Sequence, residues 1–172
     1  MRSQKLISAA IMAVASLIGL GAFLYPFFLP SLASEGMAAH ANDAPLLTVV
    51  LLALCVTAVF ANLAGRQMTS KLIAVLGILV AINAVLRAVP GPGGFNAIFF
   101  LPILAGYAYG PTFGFLLGSL SLLVSAFIGG GVGPWLPYQM FATGWMGLLS
   151  GFLPKFPRHP RWEPILLAVW AA

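Results

Sequence analysis

Residues 46–64 read LLTVVLLALCVTAVFANLA, and this stretch decides the fold class of the chain. It runs for 19 residues without a charged side chain, and as a helix rising about 1.5 Å per residue it can cross a hydrocarbon core of ~30 Å. The rest of the chain has the same character, since 61% of its 172 residues are hydrophobic and 6% are charged. Lipid suits such a composition better than water does, so the sequence predicts an all-α integral membrane protein.

The other apolar runs predict a polytopic bundle. Runs at 6–29 and 72–89 are also long enough to span, and shorter ones that contain Gly or Pro cover 95–109, 112–128 and 137–153. Irregular backbone at membrane depth survives only inside a packed bundle or beside a watery cavity. A last run, 165–172, has eight residues and is too short to span, so we expect a domain that is incomplete at its C-terminus.

The charged residues orient the predicted helices. Alternating crossings place seven basic residues on one side and Glu35 with Asp43 on the other, and the positive-inside bias then predicts a cytoplasmic N-terminus. These basic residues stand at segment ends rather than in a patch, which argues against nucleic acid as a partner: Arg2, Lys5, Arg66, Lys71, Lys155, Arg158 and Arg161. A signal peptide cleaved near 31–33 is the alternative for the first run, although its apolar stretch is longer than usual.

The sequence lacks the residues that several classes of chemistry require. The three acids, Glu35, Asp43 and Glu163, all stand in polar breaks, which argues against a proton relay. The glycines at 129–133 are not followed by the Lys-Ser/Thr of a phosphate loop. No HExxH, CxxC or Ser/His/Asp set is present, so we expect no catalytic residues, no metal and no cofactor, and therefore no enzyme.

Two Gly-rich loops predict a ligand site on the outer side. Residues 91–96 read GPGGFN and residues 129–139 read GGGVGPWLPYQ. Both fall on the outer face, where they bring aromatic rings together with the amides of Asn96 and Gln139. Apolar walls with a few fixed polar groups are what a small-molecule site requires.

Three of the candidate ligand residues have a simpler interpretation. Trp135 and Tyr138 are typical of the aromatic belt at a membrane interface. Arg87 lies about one turn below the outer loop, where an ionisable residue is a functional candidate by default. The alternative for Arg87 is that its guanidinium snorkels to outer headgroups; if it is functional, it pairs with an anionic group of the ligand.

The run at 72–89 also carries a face of small residues. Small residues let helix backbones approach closely in lipid, where packing drives association. The alternative is packing against a neighbouring helix of the same chain. At spacings of four, three and four residues, the members of this face are Gly77, Ala81, Ala84 and Ala88.

Region 71–153 resembles the substrate-binding S components of energy-coupling factor (ECF) transporters. Besides the small-residue face, the resemblance rests on the stretches PGGFNAIFFLP at 92–102, GYAYGP at 106–111 and GPWLPYQMF at 133–141. It implies a six-helix bundle, here truncated, over 71–172. The two-helix hairpin at 1–65 has no counterpart in that bundle and is interpreted as an accessory.

The resemblance also implies a function and a set of partners. Family members capture a vitamin-like micronutrient outside a bacterial plasma membrane and dock on a transmembrane coupling subunit that joins two cytoplasmic ATPases. The docking residues would be Gly77, Ala81, Ala84 and Ala88, and the ligand-binding residues would be Arg87, Asn96, Phe99, Trp135, Tyr138 and Gln139. The loop pattern is similar to S components with corrinoid substrates. A self-sufficient secondary transporter or channel and a non-transporting membrane scaffold remain as alternatives.

Overall fold

The computed structural model describes residues 2–28, 37–64, 68–89 and 96–153, and within these ranges the chain is all helical with no strand. The apolar runs predicted from 6 to 153 each form a helix, which confirms the predicted all-α class, whereas the last run, 165–172, lies outside the described residues. The helices are α1 (Arg2–Phe28), α2 (Met37–Ala64), α3 (Ser70–Leu86), α4 (Phe100–Tyr109), α5 (Pro111–Ser125) and α6 (Leu136–Ser150).

Local signals in the sequence set several helix ends. Thr69 caps α3, because its side-chain oxygen accepts a hydrogen bond from the backbone N–H of Leu72 at 3.3 Å. Gly110 separates α4 from α5 with a φ of 99°, a left-handed conformation that favours glycine. Pro111 then occupies the first turn of α5, where its missing N–H costs nothing. The GYAYGP stretch therefore ends α4 and begins α5, and the tight turn between the two helices is made at Gly110 alone.

Glycines bring α4, α5 and α6 into very close contact. A Cβ on Gly106 or Gly114 would collide with the backbone carbonyl of Gly147, and one on Gly118 would collide with the carbonyl of Thr143. The spacing of Gly114 and Gly118 on α5 is the GxxxG pattern of membrane helix pairs. These three helices therefore form the tightly packed centre of the bundle.

The α1–α2 hairpin packs against this centre through both of its helices. Gly19 lies against the buried ring of Phe141 on α6. The Trp145 Nε1–H donates to Ser16 Oγ at 3.2 Å, so one polar contact also joins α6 to α1. The division into an accessory hairpin over 1–65 and a domain over 71–172 stays a prediction.

Two helices of the described ranges are long and apolar enough to cross a membrane: Asp43–Ala64, and Pro111–Gly130, which continues α5 through a π-helical turn. Shorter apolar helices cover Ala9–Tyr25, Ser70–Leu86 and Ala97–Tyr109. Large apolar side chains project from the outside of the bundle, as lipid would require, among them Leu17, Phe60 and Phe127. The cytoplasmic position of the N-terminus remains a prediction.

Candidate ligand-binding site

Arg87 ties three helices together at one end of the bundle. It caps the C-terminus of α3, and its guanidinium reaches across to the other two helices. The Nη1–H donates to Ser125 Oγ on α5 at 2.9 Å, and the Nη2–H donates to Gln139 Oε1 on α6 at 3.1 Å. The hydroxyl and the amide are neutral, so these bonds fix the position of the guanidinium without neutralising its charge.

Asn96 connects the end of α3 to the start of α4. Its Nδ2–H donates to the backbone carbonyl of Arg87 at 2.8 Å, and its Oδ1 accepts from the Ile98 N–H at 3.2 Å. The second bond caps the short 3-10 turn Ala97–Phe99 that precedes α4. One side chain therefore positions both Arg87 and Phe99.

These residues surround a cavity of about 280 Å³, which we call the Arg87 cavity. Its wall combines apolar side chains with a few polar ones, the composition of a small-molecule site. Four of the predicted ligand residues line it together, namely Arg87, Asn96, Phe99 and Gln139. The rest of the wall is formed by Ile98, Leu122, Ala142 and Thr143.

Trp135 and Tyr138, the other two predicted ligand residues, do not line this cavity. Trp135 is 45% exposed, and its ring lies over Gly133 in the loop before α6. Tyr138 faces α1, where its ring meets Phe23 edge-on with 5.2 Å between centroids. Tyr138 and Gln139 are consecutive on α6, so they point in directions about 100° apart. A ligand contact for either aromatic residue stays a prediction.

The small-residue face of α3 is divided by the structure. Gly77, Ala81 and Ala88 are exposed, and a Cβ on Gly77 would meet no atom within 4 Å. Ala84 is 3% exposed and faces the interior of this fold, so its role in docking stays a prediction. Ala84 stands at the edge of the buried side of α3, which also carries Val80.

Sequence reasoning missed three residues around the site. Ser125 is 2% exposed and holds Arg87, but a serine in an apolar run gives no signal of such a role. Gly130 lies against the guanidinium: a Cβ there would stand 2.5 Å from Nη1. Asn83 gave a signal, since it is an amide in an apolar run four residues before Arg87. It is fully buried, and neither its Oδ1 nor its Nδ2 has a hydrogen-bond partner among the described residues.

A larger cavity, of about 580 Å³, lies at the opposite end of the bundle between α1 and the α4–α5 turn. The described residues that line it include Ser16, Asn62 and Thr112 but no charged side chain. Asn62 uses its amide to donate to the Ala58 carbonyl of its own helix at 2.7 Å. The Arg87 cavity adds a charged side chain to its amides and is therefore the stronger candidate.

The described ranges hold no group of three or more His, Cys, Asp or Glu residues that could bind a metal ion. Their one acid is Asp43, whose Oδ2 accepts a hydrogen bond from the Tyr25 hydroxyl at 2.6 Å. The Arg87 cavity thus offers a cation, two amides and apolar walls. These groups suit ligand binding.

An apolar helical bundle with such a cavity has the arrangement of a small-molecule binding subunit. The family model described as the substrate-specific component of ECF transporters matches residues 71–172, well over half of the chain. The chain therefore belongs to this family of transporter components, and this membership places it in a membrane. Comparison with curated proteins and with solved structures gives no match.

Proposed function

We propose that this chain is the substrate-capture subunit of an ATP-driven ECF importer and binds a vitamin-like micronutrient in the Arg87 cavity. One observation carries the proposal. Four residues that the sequence nominated, from three separate segments, line a single cavity of about 280 Å³. Its role is binding rather than catalysis, because the groups present orient and hold a ligand.

The distribution of charge supports capture from outside. Lys71 begins α3 at one end and Arg87 ends it at the other. The positive-inside bias assigns the Lys71 end to the cytoplasm. The Arg87 cavity then opens toward the outer face of a bacterial plasma membrane, which the chain crosses several times.

The partners follow from the exposed part of α3. Gly77, Ala81 and Ala88 present a surface on which another helix can approach closely. We assign this surface to a transmembrane coupling subunit, which in turn joins two cytoplasmic ATPases. The chain has no nucleotide motif of its own, so in this proposal the partner supplies the ATP hydrolysis.

The size of the cavity bears on the substrate. Pockets for drug-sized ligands span roughly 300–1,000 Å³, and the Arg87 cavity has about 280 Å³. A compact micronutrient fits this volume. A corrinoid, the micronutrient that the resemblance suggests, is a much larger molecule, and the cavity would have to widen to admit it.

A pull-down from native membranes in mild detergent tests the assignment. A tagged chain should recover a coupling subunit with its ATPases by mass spectrometry. Ala81→Trp should abolish this recovery, because it places a large ring on the docking surface. Val49→Trp is the matched control, since Val49 is 64% exposed on α2, away from α3.

The alternatives predict other results from the same preparation. If no ATPase accompanies a folded chain, the importer proposal is wrong. Ligand flux in liposomes without ATPases would then favour a secondary transporter or channel. Assembly with other membrane proteins that is lost in Ala81→Trp but unchanged in Asn96→Ala would favour a scaffold.

A further inference from the structure

Arg87 carries a charge that no described acid compensates. Its guanidinium partners are the neutral Ser125 Oγ and Gln139 Oε1. Asp43, the acid within the part of the chain that the structure describes, bonds to Tyr25 instead. A half-buried cation in an apolar bundle is costly without a counter-charge. The site is therefore electrostatically complementary to an anion.

The guanidinium is also held in place, as a recognition group requires. Its Nη1–H reaches inward to the hydroxyl of Ser125, which is 2% exposed. A side chain that snorkels to headgroups would point outward instead. Gly130 leaves room for the guanidinium, because a Cβ at this position would lie 2.5 Å from Nη1 and 2.8 Å from Cζ. Two of the five guanidinium donors make these bonds, and within the described residues the other three make none, which leaves them for a ligand.

We propose that the Arg87 cavity binds a compact organic anion, an aromatic-ring carboxylate, whose carboxylate pairs with Arg87. The proposal rests on the proposed capture function and specifies its substrate class. A carboxylate matches the planar fork of a guanidinium. Phe99 and Leu122 supply walls for the ring, and the volume of about 280 Å³ sets its compact size.

Benzoate and its neutral amide, benzamide, are the probes. They share an aromatic ring of the same size, and only benzoate carries a negative charge. Small fragments of this kind bind with Kd values in the millimolar range. In a neutral detergent, saturating benzoate should raise the thermal unfolding midpoint of the full chain by about 3 °C. Benzamide should not, since it lacks the charge.

Two variants assign the effect. Arg87→Gln should lose the shift with benzoate, while Lys71→Gln should retain it, because Lys71 is an exposed cation at the other end of α3. Equal shifts with benzamide and benzoate would overturn the proposal, and so would the absence of any shift with benzoate. A shift that persists in Arg87→Gln would overturn it as well.

A lipid headgroup also carries anionic oxygen atoms. Measurements in nanodiscs distinguish binding of such a headgroup from binding of a soluble anion. The midpoint is measured in nanodiscs of phosphatidylcholine with or without phosphatidylglycerol. Stabilisation by phosphatidylglycerol that depends on Arg87 and excludes benzoate would overturn the soluble-anion proposal. Recovery of ATPases without a benzoate shift rejects this inference alone. A benzoate shift that depends on Arg87, in a chain that recovers no ATPase, rejects the importer function instead.

Discussion

Gly130 provides the space that the Arg87 guanidinium occupies, since a Cβ on Gly130 would stand 2.5 Å from Arg87 Nη1. The two residues are 43 positions apart in sequence, and the π-helical turn Ala126–Gly130 brings them together. The position of the Arg87 charge therefore depends on the absence of a Cβ at residue 130, which only glycine provides.

We expect Gly130→Ala to weaken anion binding by about tenfold, equivalent to about 1.4 kcal/mol. The added methyl displaces the guanidinium and weakens its bond to Ser125. Benzoate titration of the purified chain measures the effect. Gly21→Ala is the control, because a Cβ on Gly21 meets nothing within 4 Å. Equal benzoate affinity in Gly130→Ala and the wild type would show that the position of Arg87 tolerates the methyl.

We expect Gly118→Ala to lower the free energy of unfolding by about 1–3 kcal/mol. A Cβ there collides with the Thr143 carbonyl, so α5 and α6 must separate. Gly77→Ala, on the exposed face of α3, should be neutral or stabilise the chain by about 0.5–1 kcal/mol through helix propensity. Thermal unfolding in detergent compares the two, and equal midpoints would contradict close packing at Gly118.

The helices could be predicted from the sequence because each apolar run has a length and boundary of its own. The cavity could be predicted in part for a similar reason. Arg87, Asn96 and Gln139 flank loops on the same side of the bundle, so topology alone brings them together. Ser125 and Gly130 could not be predicted, because their roles depend on how α5 ends against α3.

Helix rotation explains the remaining differences. The sequence places Tyr138 and Gln139 in one loop-flanking stretch, but it does not say which of two consecutive residues faces the cavity. Ala84 poses the same problem on α3. Residues at spacings of three and four share one broad face, and packing on neighbouring helices decides where the buried part of that face ends.

The boundary between the exposed and the buried side of α3 can be tested by placing tryptophan at Ala81 and at Ala84. Ala84→Trp should lower the unfolding free energy by about 3 kcal/mol, because it overfills a site that is 3% exposed. Ala81→Trp should change it by less than about 0.5 kcal/mol, because Ala81 is exposed. The thermal midpoints of the two variants in detergent provide the comparison. A stable Ala84→Trp variant would support the predicted place of Ala84 on the docking surface.

Replacing Asn83 with an apolar residue should make the protein more stable. Both polar atoms of the Asn83 side chain are buried without a partner in the part of the chain that the structure describes, and each such group costs about 1–3 kcal/mol. Asn83→Leu, which has a similar branched shape, should therefore raise the unfolding free energy by about 1 kcal/mol. Asn62→Leu is the matched control, since that buried amide donates to Ala58 and should lose stability when replaced. A loss of stability in Asn83→Leu would instead indicate that the amide has a polar partner in the folded protein.

Gly19 tests whether the α1–α2 hairpin is an accessory or a wall of the bundle. A Cβ on Gly19 would lie 2.6 Å from Phe141 Cδ1, and the Phe141 ring is fully buried on α6. Gly19→Leu should therefore force α1 away from α6 and lower the unfolding free energy by about 1–3 kcal/mol. Gly21→Leu, two residues away on the same helix, should change it by less than about 0.5 kcal/mol. If both variants unfold at the wild-type temperature, the hairpin contributes nothing to the stability of the core. If only Gly19→Leu is destabilised, α1 supports α6, the helix that presents Gln139 to the Arg87 cavity.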